Sequence, residues 1–340
     1  MKALYPLLAV TALILIALVG VWLAGLRLVF GVIIPYAAIA TFVVGFVYRV
    51  IKWARSPVPF RITTTAGQQK SLPWIKANNL ESPYNTAGVI GRMALEILFF
   101  RSLFRNTKTR MEGQKIVYGE EKFLWAAGLA FHWSLLVVLL RHYRFFVEPV
   151  PAFVTWIQSV DGFVSIGVPT LYISTAVILG ALTFLFLRRV VLSQIRYISL
   201  PADYFALFLI LGIAGTGAFM RHVYRVDIVG VKEIAMGLVS FHPVAPESVS
   251  AMFYIHLFLV STLVAYFPFS KLMHLGGIFL SPTRNLANTN RMRRHINPWN
   301  YPVNVHTYAE WEEEFKDKLV AAGYPLDSEE EEKKREDILV

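Results

Sequence analysis

Four histidines sit where apolar sequence leaves little room for ionisable groups. His132 and His142 lie ten residues apart in FHWSLLVVLLRHY (131–143), and His256 and His274 lie eighteen apart in a later oily segment. A ring that can ionise is costly in such surroundings and marks function by default. Neutral imidazole has one nitrogen that donates and one that accepts. It can relay a proton, bond to a neighbouring helix, or bind a transition metal.

The elements that must position these rings follow from composition. The chain has 340 residues, 56% of them hydrophobic and only 16% charged. The apolar residues come in runs, and about 20 of them in a row cross the hydrocarbon of a bilayer as a helix. Six spans are expected: Leu4–Leu23, Leu28–Ile51, Phe123–Phe145, Ile166–Leu187, Ala202–Phe219 and Ser250–Met273. The N-terminal run has an apolar core too long for a signal peptide and no small-x-small cleavage site, so it is expected to stay as the first span. The fold class is therefore an all-α polytopic membrane bundle of six helices.

The net charge of +10 is a topology signal here and does not point to nucleic acid. Lys and Arg concentrate after span 2 (Lys52 to Lys122), after span 4 (Arg188, Arg189, Arg196) and after span 6 (Lys271 to Arg294). The positive-inside rule places those loops and both termini in the cytoplasm. Span 3 then runs outward and span 6 inward. His132 and His274 both lie toward the cytoplasm; His142 and His256 both lie toward the outside.

This arrangement suits a b-type haem, which has no covalent link to protein and is gripped by axial ligands and packing. Two imidazoles close both axial positions, leaving an iron that carries single electrons. The absence of cysteine removes thiolate clusters, disulfides and covalent haem attachment. The spacing leaves the pairing open. Ten helical residues rise about 15 Å and eighteen rise about 27 Å. Eighteen residues is five turns, so His256 and His274 share a face, whereas His132 and His142 are skewed by about 80°.

Other groups collect near the outer ends of the spans. Arg141, Arg144 and Arg221 are placed to meet haem propionates or lipid phosphates, with Asp161 nearby. His222 is a candidate outer ligand or proton carrier; His242 lies in the loop beyond it, and His295 and His306 are structural. Gly212, Gly215 and Gly217 in LGIAGTGAF (211–219) either admit a flat porphyrin face or serve ordinary helix packing. On the cytoplasmic side, Thr86–Phe104 is an interfacial helix, a docking surface or a helix packed under the bundle. NPWNYP (297–302) reads as a fixed turn. Thr307 and Glu310 fit a capping box, and Tyr308, Trp311, Phe315 and Leu319 form an apolar helical stripe. The last charged run, EEEEKKRED, is a solvated tail.

Spacings of ten residues on one helix and eighteen on a later antiparallel helix resemble the γ subunit family of respiratory nitrate reductase, over roughly residues 120–280. That resemblance implies two haems b, one held by His132 and His274 and the other by His142 and His256. The segment SPTRNLANTNRMRRHINPWNYPVNVHTYAEWEEEFKDKLVAAGYPLD is similar to the membrane cytochrome b (M) subunit family of Dsr complexes, tied to dissimilatory sulfite reduction. This second likeness implies menaquinone or menaquinol as substrate. It also implies a cytoplasmic iron–sulfur partner resembling heterodisulfide reductase, a periplasmic multihaem cytochrome c, a periplasmic iron–sulfur subunit and a second quinone-type membrane subunit. One departure matters: Arg141 precedes His142 where the nitrate reductase family has glycine, and no lysine stands near the outer start of span 4. The quinone residues of that family therefore do not carry over, and catalytic residues stay unassigned.

The expected organisation is two N-terminal spans (1–51), a cytoplasmic loop (52–119), a four-helix dihaem core (120–280) and a cytoplasmic docking tail (281–340). The expected function is electron transfer between menaquinol and a cytoplasmic iron–sulfur subunit, within an oxidoreductase complex of the cytoplasmic membrane. The alternatives are a transporter with an intramembrane histidine relay, or a structural anchor whose histidines only pack. A relay calls for acidic groups inside the spans, and Asp203 and Glu247 lie at span ends.

Overall fold

A computed structural model describes residues 2–56, 67–163, 169–293 and 305–327. Among them, six helical stretches are long and apolar enough to cross a membrane: Leu4–Leu23, Val29–Ala54, Lys122–Phe145, Ile173–Val191, Pro201–His222 and Ala251–Phe269. The protein is an all-α multi-pass membrane bundle. The expected start of span 4 at Ile166 lies outside the described residues, as do His295, the NPWNYP turn and the charged end.

The spanning helices are α1 (Leu4–Leu18, extended by a π-helical turn to Leu23), α2 (Ile34–Ala54, preceded by a π-helical turn from Val29), α5 (Lys122–His142), α7 (Ile173–Val191), α9 (Pro201–His222) and α11 (Ala251–Tyr266). Between α2 and α5 come α3 (Thr86–Phe99), α4 (Arg101–Phe104) and a hairpin of β1 (Thr107–Glu112) and β2 (Lys115–Glu120). The short helices α6 (Ala152–Asp161), α8 (Ser193–Ile198), α10 (Ile228–Val239) and α12 (His274–Leu280) fill the other connections, and α13 (Tyr308–Ala321) lies in the tail.

Packing runs in a chain of neighbours. α5 packs on α7, α7 on α9, and α9 on α11, while α1 and α2 close over α9 and α11. The larger core joins Val10 and Ala17 of α1, Phe30, Leu209 of α9, Ile234 of α10, and Tyr254 and Leu259 of α11. A smaller core joins Ile178 and Leu182 of α7 with Ile210 of α9 and the α5 side chains Phe131 and Leu135. α5 and α11 make no comparable backbone approach to each other.

Span 6 differs from the uninterrupted helix expected to Met273. α11 gives way to a 3₁₀ turn at Phe267–Phe269, then Ser270 turns extended (φ −116°, ψ 178°) before a second 3₁₀ turn and α12. Pro268 has no N–H to donate and its ring crowds the preceding helical turn, so the α-helix cannot continue through it. α2 accommodates the break with Gly45, where a Cβ would come within 2.8 Å of Pro268 and 2.9 Å of Phe269. His256 and His274 therefore do not share one straight helix face, and five-turn arithmetic does not apply to them.

At the end of the bundle carrying residues 67–121, α3 is clasped to the segment after α12. Arg92 donates to the Thr283 carbonyl (3.0 Å), Arg284 pairs with Glu96 (3.1 Å), and the Asn288 amide donates to the Pro83 carbonyl (2.7 Å). Glu81 is bound by both Arg101 and Arg105. Burial, with Arg284 close by, pulls the Arg92 guanidinium below its ordinary value.

The described residues 305–327 belong to a second unit, separate from the bundle. Its α13 carries the expected capping box: the Thr307 hydroxyl accepts from the Glu310 amide (3.3 Å), and the Glu310 carboxylate accepts from the Thr307 amide (2.8 Å). Tyr308, Trp311 and Phe315 stack along one face at 5.6 and 5.7 Å.

Candidate haem-binding site

Each of the four histidines has its Nδ1 tied to an oxygen. His132 Nδ1 donates to the Gly128 carbonyl (2.7 Å), His142 Nδ1 to the Val138 carbonyl (2.7 Å) and His274 Nδ1 to the Lys271 carbonyl (2.9 Å). A carbonyl oxygen only accepts, so the proton of each neutral ring sits on Nδ1 and the lone pair is on Nε2. His256 Nδ1 meets the Thr216 hydroxyl on α9 at 2.9 Å. That hydroxyl has one proton and two carbonyls to give it to, Gly212 (2.8 Å) and Ile213 (3.0 Å), so it accepts from His256. All four rings thus present a bare Nε2, the state in which imidazole binds a metal.

One pair of rings is in direct contact. His132 and His274 have ring centres 6.0 Å apart with planes at 82°. His132 is also held edge-on by Phe100 and Phe131, each at 4.9 Å. His142 and His256 lie within Coulombic range of each other at the opposite end of the bundle. Among the described residues no three His, Cys, Asp or Glu side chains converge. Four neutral imidazoles, each with a free Nε2, are a donor chemistry that fits haem iron.

α9 supports α11 and the 3₁₀ turn beyond its break. Asp203 at its start accepts from the Lys271 ammonium (2.8 Å), whose backbone carbonyl holds His274. Thr216 holds His256. Gly217 makes room for that ring: a Cβ there would stand 3.4 Å from His256 Cε1. Gly212 faces Leu259 and Val10 at ordinary contact distance, while Gly215 faces open space.

The expected polar groups beside His142 do gather. Arg141 Nη1 donates to Asp161 Oδ2 (2.5 Å) and to the Ser174 hydroxyl (3.0 Å). Asp161 also accepts from the Ser174 amide (2.7 Å) and hydroxyl (2.6 Å). The Arg141 and Arg221 guanidiniums lie over the Tyr172 ring, at 3.3 and 4.1 Å. Arg221 further donates to the Thr170 carbonyl, and Arg144 to Gln158 (2.8 Å). His222 Nε2 is buried without a hydrogen-bond partner. His242 bonds its own turn at the Ser240 carbonyl (2.8 Å), and His306 faces Glu314. Thr216, Tyr172 and Ser174 escaped the sequence reading. A lone hydroxyl between glycines was the only signal for Thr216; the other two are visible only once α6 folds back onto α7.

Two kinds of comparison bear on this arrangement. The family described as nitrate reductase gamma subunit matches residues 92–294, which include both histidine pairs. A relative from Archaeoglobus fulgidus, named Hdr-like menaquinol oxidoreductase cytochrome b-like subunit, is 48% identical over 82% of this chain and 85% of its own length. A protein of the same name from Archaeoglobus profundus is 41% identical over 78% of this chain and 81% of its own. The chain belongs to the nitrate reductase gamma subunit family.

Proposed function

We propose that this chain is a dihaem cytochrome b, the membrane electron-transfer subunit of a menaquinol oxidoreductase complex. The observation that carries the proposal is the set of four imidazoles with Nε2 left bare, two of which, His132 and His274, have ring centres 6.0 Å apart. The relatives' names point the same way, through cytochrome b and menaquinol.

His132 and His274 would hold one haem b, and His142 and His256 the other. Haem, when bound, supplies a one-electron carrier that cycles between ferric and ferrous iron. The chain's own task would be to fix the tautomers of the four histidines and to hold the two groups at different depths. Menaquinol oxidation to menaquinone releases two electrons and two protons. We place that exchange beside His142, where Arg141, Arg144, Asp161 and Arg221 are gathered and His222 Nε2 is free to exchange a proton. With the Lys- and Arg-rich loops facing the cytoplasm, both termini lie in the cytoplasm, and oxidation of menaquinol on the outer side would send electrons inward. They would pass to a cytoplasmic iron–sulfur subunit resembling heterodisulfide reductase. Docking is assigned to residues 52–119 and, separately, to the tail 281–340. A periplasmic multihaem cytochrome c, a periplasmic iron–sulfur subunit, a second quinone-type membrane subunit and a role in sulfite-linked respiration complete the proposed setting.

A dithionite-reduced minus oxidised spectrum of the purified chain, with a pyridine haemochrome count, tests the reading. Two haems b per chain are expected, falling to one in His142→Ala and in His274→Ala. A colourless native preparation, or two haems retained in His142→Ala, would overturn it.

A further inference from the structure

We infer that Thr216 is the positioning residue for the ligand His256, and that its hydroxyl tunes the haem held by His142 and His256 separately from the other. The inference rests on the dihaem reading. Three of the four ligand rings are oriented by a carbonyl of their own segment: Gly128 for His132, Val138 for His142 and Lys271 for His274. His256 alone among them is held from another helix, by the Thr216 hydroxyl forty positions earlier in the chain with the Ile213 carbonyl of the same α9 beside it. Thr216 is itself fixed, because its hydroxyl spends its proton on the Gly212 or Ile213 carbonyl of α9. Its lone pair is then aimed at His256 with little rotational freedom. Gly217, next in sequence, lets the ring approach α9 closely.

An acceptor on the distal ring nitrogen fixes the tautomer and raises the ligand's basicity. A more basic ligand favours the ferric state and lowers the reduction potential. Removing the acceptor should raise the potential of that haem alone. His132 and His274 keep their carbonyl acceptors, so the other haem serves as an internal reference in the same molecule.

The test is a redox titration of the detergent-solubilised full chain, following the two haems by their optical and low-temperature EPR signals. Thr216→Val keeps the shape and removes the hydroxyl; Thr216→Ser restores it. The expected result is an upward shift of one midpoint and an altered EPR signature for one haem in Thr216→Val, with Thr216→Ser close to wild type. Loss of one haem in Thr216→Val with both retained in Thr216→Ser supports the inference equally. An unchanged or lowered potential in Thr216→Val, or a Thr216→Ser protein that behaves like Thr216→Val, overturns it. Should Thr216→Val fail to assemble, pulsed EPR of the oxidised wild-type protein decides. One of the four remote imidazole nitrogens should then differ in its coupling from the other three, and four alike would overturn the inference. A wild-type protein without haem would instead sink the dihaem reading itself.

Discussion

At the residue scale, the informative objects are single atoms left with one role. Each of the four histidines has its Nδ1 committed, which frees Nε2. Arg141 is equally committed, to Asp161 and Ser174, so it is a fixed and compensated charge beside His142. Both partners are well shielded, with side chains 14% and 6% exposed. Removing one partner of a buried pair strands the other, at about 3–5 kcal/mol. Asp161→Ala should therefore destabilise the protein by about 3 kcal/mol, with Asp161→Asn milder because it can still accept from Ser174. Thermal unfolding in detergent checks this, and near-wild-type stability of Asp161→Ala would show that the pair contributes nothing net.

At the element scale, the break in span 6 decides where His274 stands. Pro268 ends α11, and Gly45 of α2 gives the break its seat. Gly45→Val should press on Pro268 and Phe269 and shift the turn that carries His274. On the dihaem reading, that variant loses the haem of His132 and His274 and keeps the other, giving a haem count near one per chain. Two intact haems would mean that the contact is not restrictive. A second element-level expectation concerns α10, which packs into the core through Val231 and Ile234. Its N-cap Asp227 accepts from the Ser248 hydroxyl (2.7 Å) and the Val229 amide (3.0 Å). Those bonds, Ser248 first, hold the carboxyl below the usual carboxylate range. A depressed folded-state value means that the charged form is preferred on folding. The stabilisation is then present at neutral pH and is lost as pH falls through the depressed value. Asp227→Asn should flatten the acid limb of stability measured between neutral pH and the carboxylate range; an unchanged limb would remove Asp227 from that account.

At the scale of the whole molecule, the proposed sidedness rests on charge. The first long loop and the segments after α7 and α11 carry the excess of Lys and Arg. Positively charged loops resist export and stay in the cytoplasm. The chain has no cysteine, so single introduced cysteines report topology without background. Lys115→Cys in the hairpin should be protected from a membrane-impermeant thiol reagent in intact cells, and Glu247→Cys, between α10 and α11, should react. The reverse pattern would invert the proposed direction of electron movement.

The sequence by itself determined the six spans, their order and the four histidines, because length and hydropathy decide membrane crossing and an imidazole in an apolar run stands out from its neighbours. It also determined the cap of α13, since Thr307 and Glu310 act within one turn. The separations of about 15 and 27 Å left the histidine pairing unresolved, because straight-helix rise assumes a straight helix. Only the tertiary structure could show that Pro268 and Ser270 break α11, and that His274 then lies 6.0 Å from His132. The same holds for Thr216 against His256 and for Asp161 against Arg141. Each pair is far apart along the chain, joined by helices whose relative placement depends on packing. No local spacing encodes a contact of that kind.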